Sequence, residues 1–101
     1  MNEPFDRTLS DKALQDLANI YEYVAEKNPA AANLLIDAII EKIDSLATSR
    51  NSGVARDSLS SGLRAFPFKQ RCIYFRIVGN ELRVLRVLHG KQDVTAEQFK
   101  D

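Results

Sequence analysis

Two stretches of helical periodicity meet at Asn28-Pro29, and this junction constrains the fold more than any other feature of the chain. On its N-terminal side Ala13, Leu17, Ile20 and Val24 recur at helical spacing, with Leu14, Tyr21 and Ala25 widening the stripe. That spacing predicts an amphipathic helix over about 11–27, with Asp16, Glu22 and Glu26 mostly outside the apolar face. On the C-terminal side Leu35, Ile36, Ile39, Ile40, Ile43 and Leu46 predict a second helix from Ala30 to about Thr48. Asn is a good N-cap and Pro is tolerated at the first helical position, so the dipeptide ends one helix and starts the next. A connection this short forces an antiparallel helical hairpin. Ile is a middling helix former, so burial rather than propensity must hold the second helix.

Before the hairpin, Phe5, Arg7 and Leu9 alternate with Asp6 and Thr8, which predicts a short strand leading to Ser10 as the first N-cap. After it, residues 49–62 hold five Ser and two Gly, a loop carrying Arg50, Arg56 and Asp57. Three runs of strand character follow, at Leu63–Phe68, Cys72–Val78 and Glu81–Leu88, the last two joined by a tight turn at Gly79-Asn80. They predict a three-stranded antiparallel meander. Pro67 lacks an amide donor and places the first of them at an edge or a bulge. The last run is apolar on both faces, with Arg86 its least comfortable residue. Thr95 and Gln98 fit a capping box, predicting a terminal turn over Ala96–Lys100 with Phe99 docked on the domain, a frayed tail being the alternative. The expectation is one α+β domain over residues 1–101.

With 45% hydrophobic residues the chain can bury one core without covalent staples. No basic segment followed by an apolar stretch opens it, and no apolar run approaches the roughly 20 residues that span a bilayer. A cytoplasmic protein with no membrane partner is expected. The formal net charge of zero conceals a dipole: residues 1–49 hold four basic and nine acidic side chains, residues 50–101 ten basic and five acidic. A basic face on the second half would steer an acidic partner.

Cys72 is the single cysteine and reads as a small buried hydrophobe. His89, the single histidine, ends an apolar strand and reads as a turn-anchoring residue, with Gly90 beside it in a conformational role. No metal set and no cofactor are expected, because no carboxylate cluster supplies the other ligands and the four glycines are scattered rather than gathered into a phosphate loop. Metal-free phosphodiester cleavage would need Lys and Arg to hold the developing charge, with a Tyr, His or Glu moving the proton. Arg56, Arg64, Lys69, Arg71, Arg86 and Lys91 are the available cations, and they are better read as partner-binding groups than as catalytic ones. Tyr74, inside a strand, reads as sheet packing.

The ordered set Leu9-Ser10, Ala13, Asp16-Leu17, Ile20, Tyr23, Gly62-Leu63-Arg64, Phe66-Pro67, Ile73-Tyr74-Phe75-Arg76 and Leu85-Arg86-Val87-Leu88-His89-Gly90-Lys91 resembles the ParE branch of the ParE/RelE toxin superfamily, over roughly residues 5–93. The resemblance implies the same strand, hairpin and meander. It also implies a type II toxin held in a hetero-oligomeric complex by a cognate ParD-like antitoxin, with DNA gyrase as the target. RelE-like relatives instead cleave mRNA on the ribosome, and a non-toxic binding module is a third reading. No Tyr follows Tyr74, and residues 91–101 offer only Lys91 and Lys100 as basic groups, so the resemblance points to a non-enzymatic gyrase inhibitor. Arg56, Arg64, Arg71, Arg86, His89 and Lys91 are then the expected target- or antitoxin-binding residues. The Ser-Arg-Asn-Ser-Gly run at 49–53 departs from the family habit of Pro and Gly before the basic segment.

Overall fold

The computed structural model describes residues 3–99. Strand β1 (Asp6–Leu9) is followed by helices α1 (Asp11–Ala25) and α2 (Pro29–Ser49), then by β2 (Val54–Ala55), β3 (Arg64–Phe68), β4 (Arg71–Val78) and β5 (Glu81–His89). A single 3-10 turn, Ala96–Phe99, ends the described chain. Lys100, expected in the same turn, lies outside the described residues.

Both helices start as the sequence predicts. The Ser10 hydroxyl accepts from the Ala13 amide and the Asn28 side chain from the Ala31 amide, at 3.0 Å each, with Pro29 in the first turn of α2. Each cap satisfies one of the amide donors that a helix start leaves without a partner. α2 ends on Arg50 in the left-handed region, at φ 54°. That side chain is structural: Nη1 donates to the Glu3 carbonyl at 2.9 Å and to Asn80 Oδ1 at 3.2 Å, and the guanidinium lies 4.0 Å over the Phe5 ring.

The sheet order is β1-β5-β4-β3-β2. The meander is present, with β4 antiparallel to both β3 and β5, and β1 adds to β5 in parallel. One expectation is corrected: the 49–62 segment is not loop throughout, because Val54 and Ala55 pair with Ala65 and Arg64 as a fifth strand. Gly53 leads into it at φ 62°, and a Cβ there would lie 2.6 Å from the Ala65 carbonyl oxygen, so this close approach requires glycine. Arg64 Nε also donates to the Ser52 carbonyl, and Arg76 Nε to that of Ser61. Because β2 covers only Arg64 and Ala65, Pro67 sits where the outer side of β3 has no strand beside it, which suits a residue without an amide donor.

Ile39 and Ile43 of α2, Ala13 and Leu17 of α1, and Phe75 and Val84 of the sheet pack into the principal core between the helical layer and one sheet face. The opposite face builds a second cluster around Leu63, Cys72, Tyr74, Leu85 and Leu88, closed by Phe99, which is 2% exposed. β5 serves both faces because its side chains alternate, and an irregularity in its pairing with β4 shifts the phase so that Val84 and Val87 both face the helical layer. Tyr74 pairs with Arg86 but Phe75 with Val84, leaving Leu85 as the extra residue of a bulge.

Candidate binding groove at the open end of the sheet

β1 accompanies β5 only as far as Val84. Beyond that point the start of α1 takes over the exposed edge. Ser10 donates its amide to the Val84 carbonyl at 2.9 Å and its hydroxyl to the Leu85 carbonyl at 2.8 Å. Asp16 Oδ2 then accepts the Val87 amide at 2.9 Å. The same carboxylate holds Arg86 in a two-pronged pair, Nε to Oδ2 and Nη2 to Oδ1, both 2.8 Å. Asp16 is 8% exposed, which corrects the expectation that it lies outside the buried stripe of its helix. It also accounts for Arg86 in an otherwise apolar strand: hydrogen bonding to Asp16 pushes the guanidinium pKa further up and outweighs the opposing effect of burial.

Past this clamp, the C-terminal half of α1 and the adjoining ends of β4 and β5 enclose a groove of about 350 Å³. Asn19, Ile20 and Tyr23 line it from the helix, Arg71 from β4, and Arg86, Val87 and His89 from β5. Arg71 and His89 are direct cross-strand partners, so their side chains share one face. The contact of the Arg71 guanidinium with the chain is long, 3.4 Å from Nη1 to the Lys69 carbonyl. His89 Nδ1 accepts the Lys91 amide at 3.1 Å, which leaves the ring proton on Nε2 as a donor. Gly90 keeps the strand end close to the β3–β4 turn: its amide donates to the Gln70 carbonyl at 2.8 Å, and a Cβ there would lie 3.2 Å from that oxygen. Tyr23, 71% exposed, presents its ring at the groove. The groove can hold an anionic group between Arg71 and His89, with an aromatic wall on one side.

The six expected binding residues therefore divide. Arg71, Arg86 and His89 converge on the groove, and Lys91 follows directly after it, exposed. Arg56 and Arg64 lie toward the β2 edge, Arg56 exposed and Arg64 tied to the Ser52 carbonyl. Asp16, Asn19 and Tyr23 were not among the expected site residues. Their signal was present: residues 16, 20 and 23 follow Ala13 at helical spacing, so the end of the buried stripe carries an acid and a tyrosine.

Tyr74 is remote from acid–base duty in this groove. It is buried in the second cluster, its ring 4.8 Å from that of Phe99, and burial pushes its pKa up. Among the described residues no group of His, Cys, Asp and Glu is arranged to hold a metal ion, and no helix is long and apolar enough to cross a membrane.

A family model described as the ParE toxin of the type II toxin–antitoxin system parDE matches residues 8–94. Among solved structures, a chain of the chromosomal ParDE system of P. aeruginosa is 27% identical, with a TM-score of 0.73 over 87% of this chain and 98% of that one. A chain of the RelBE2 toxin–antitoxin complex of Mycobacterium tuberculosis, 17% identical, shares the fold with a TM-score of 0.60 over 85% of this chain and 98% of that one. No curated protein matches closely enough to serve as a relative. The matched segment runs from the end of β1 to the start of the C-terminal tail and takes in the clamp and the groove, and on that match the chain belongs to the ParE toxin family of type II toxin–antitoxin systems.

Proposed function

We propose that the protein inhibits growth by binding DNA gyrase and that a cognate ParD-like antitoxin neutralises it. The observation that carries a binding role is the pairing of Arg71 with His89 at the mouth of a groove whose one carboxylate, Asp16, is already committed to Arg86. Such a site favours an acidic partner group without supplying a reaction. The antitoxin segment that fits is an amphipathic helix or extended stretch with acidic residues facing the basic half of the chain, 50–91. A non-enzymatic mode is favoured over ribosome-dependent mRNA cleavage because Tyr74 is buried on the other sheet face and Lys91 is the one basic side chain between 91 and 99.

Purified protein added to gyrase and relaxed plasmid is expected to block supercoiling and to leave cleaved DNA. Unchanged supercoiling with no cleaved DNA would overturn the gyrase reading. Loss of intact mRNA in a translating extract would favour the nuclease instead. Complex formation with the antitoxin is expected to weaken as salt rises; indifference to salt would assign recognition to apolar anchors.

A further inference from the structure

A row of three side chains crosses the open end of the sheet. His89 of β5 pairs with Arg71 of β4, and Arg71 pairs in turn with Phe68 of β3, so all three stand on the face that the helices cover. The groove described above lies at the His89 end of this row. At the Phe68 end a second recess, of about 260 Å³, opens between β3 and α2, lined by Ala38, Glu41, Lys42, Ser45 and Phe68. It is accessible from the side, because β2 pairs only with Arg64 and Ala65 and, among the described residues, no strand lies outside Phe66–Phe68. Two ammonium groups meet there. Lys42 Nζ lies 5.5 Å from the centre of the Phe66 ring and 5.4 Å from that of Phe68, and Lys69 Nζ lies 5.6 Å from the Phe68 ring. Among the described residues neither ammonium has an ion pair, and Glu41, which lines the recess, is not within ion-pairing reach of Lys42. The rings hold these cations in place and leave their N–H donors for an acceptor.

We propose that the recess at Phe68 is a second anion site, and that with Arg71 and His89 it binds an extended acidic peptide whose two carboxylates are two or three residues apart. The spacing follows from the sheet. Neighbouring strands are about 4.8 Å apart, so the position between Arg71 and His89 and the one above Phe68 are separated by roughly 7–10 Å. An extended chain advances about 3.3 Å per residue, and two or three residues span that gap. Charge complementarity selects the occupant: four donors of positive or polar hydrogen, from Lys42, Lys69, Arg71 and His89, face two recesses each sized for a side-chain end. The proposal deepens the antitoxin reading, on which it rests only for the natural source of the peptide. A synthetic peptide tests the surface by itself.

The probe is a capped hexapeptide with Glu at its second and fifth positions and uncharged residues elsewhere, titrated at low salt into the isotope-labelled full chain and followed by amide shifts in NMR. Shifts are expected at Phe68, Lys69 and His89 together, and replacing either Glu by Gln should weaken binding at least about threefold. Lys42→Gln should weaken the two-Glu peptide by a similar factor. Lys69→Gln, exposed in the β3–β4 turn, should do the same and decides the matter should the half-buried Lys42→Gln fail to fold. Arg83 lies between Leu82 and Val84, which face the helices, so Arg83→Gln removes the same charge from the other sheet face and should change binding by less than about 1.5-fold. Equal binding by a one-Glu peptide would overturn the second anion site. So would an equal loss from Arg83→Gln, which would make the attraction one of net charge alone. If the peptide binds as described while the antitoxin complex proves indifferent to salt, the surface stands and the antitoxin reading of it falls.

Discussion

Asp16 decides more of this structure than any other single residue. Its carboxylate caps the bare edge of β5 through the Val87 amide and neutralises Arg86, a buried pair whose partners would be costly alone. Asp16→Ala should lower stability by about 3 kcal/mol in urea denaturation, because it strands a guanidinium and an amide together. Adding Arg86→Leu should recover part of that loss, and failure to recover any would place the cost in the Val87 amide. Arg71 is the contrasting case. It is half-buried, with its long contact to Lys69, so Arg71→Glu should change stability by less than about 0.5 kcal/mol yet weaken antitoxin binding at least about tenfold at low salt, by titration calorimetry. The sequence showed Arg86 as a misfit and left Asp16 on a helix exterior. Neither residue explains the other until α1 lies along β5, 70 positions away in the chain.

Among the elements, helix boundaries were readable to within about two residues because caps and periodicity are local signals. The turns were less legible. The β3–β4 hairpin turns through Lys69 and Gln70 at φ 49° and 65°, a conformation usually announced by Asn and Gly. Replacing Lys69-Gln70 with Asn-Gly should raise stability by about 1 kcal/mol in thermal or chemical denaturation, provided the Gln70 carbonyl still meets the Gly90 amide. β2 was invisible for a different reason: two residues among serines carry no period, and they form a strand because Gly53 permits the close approach to Ala65 and β3 offers a free edge. Gly53→Ala should therefore cost about 1–3 kcal/mol and release protection of the 54–55 amides in hydrogen exchange.

For the whole molecule, the two-sided sheet sets the pH response. Burial raises the Cys72 thiol above its usual 9.0 and, more than any other influence on it, raises the Tyr74 phenol above its usual 10.0. In both cases the folded chain holds a proton that the unfolded chain loses first. The contribution of these two groups to stability is accordingly fully present below about pH 9 and is lost as pH rises through their folded-state values. Denaturation series at neutral and alkaline pH should show that decline, and Cys72→Ala should remove the thiol share of it and reduce the phenol share, because Cys72 also raises Tyr74. The charge dipole belongs to this scale as well. The acidic half forms β1 and the helices and the basic half forms most of the sheet, a separation that would steer an acidic partner toward the sheet.

The sequence alone determined the helical hairpin, the meander and the family resemblance, since each rests on periodicity, caps or short motifs that act between near neighbours. Tertiary structure alone decided the candidate groove. Its parts come from α1, β4 and β5, and whether an arginine there is free to bind or tied to the fold depends on the carboxylate that packing brings beside it. Arg71 and Arg86 look alike in sequence, both basic residues within strands. Only the docking of α1 on the exposed edge of β5 makes one a clamp and leaves the other at the groove without a carboxylate beside it.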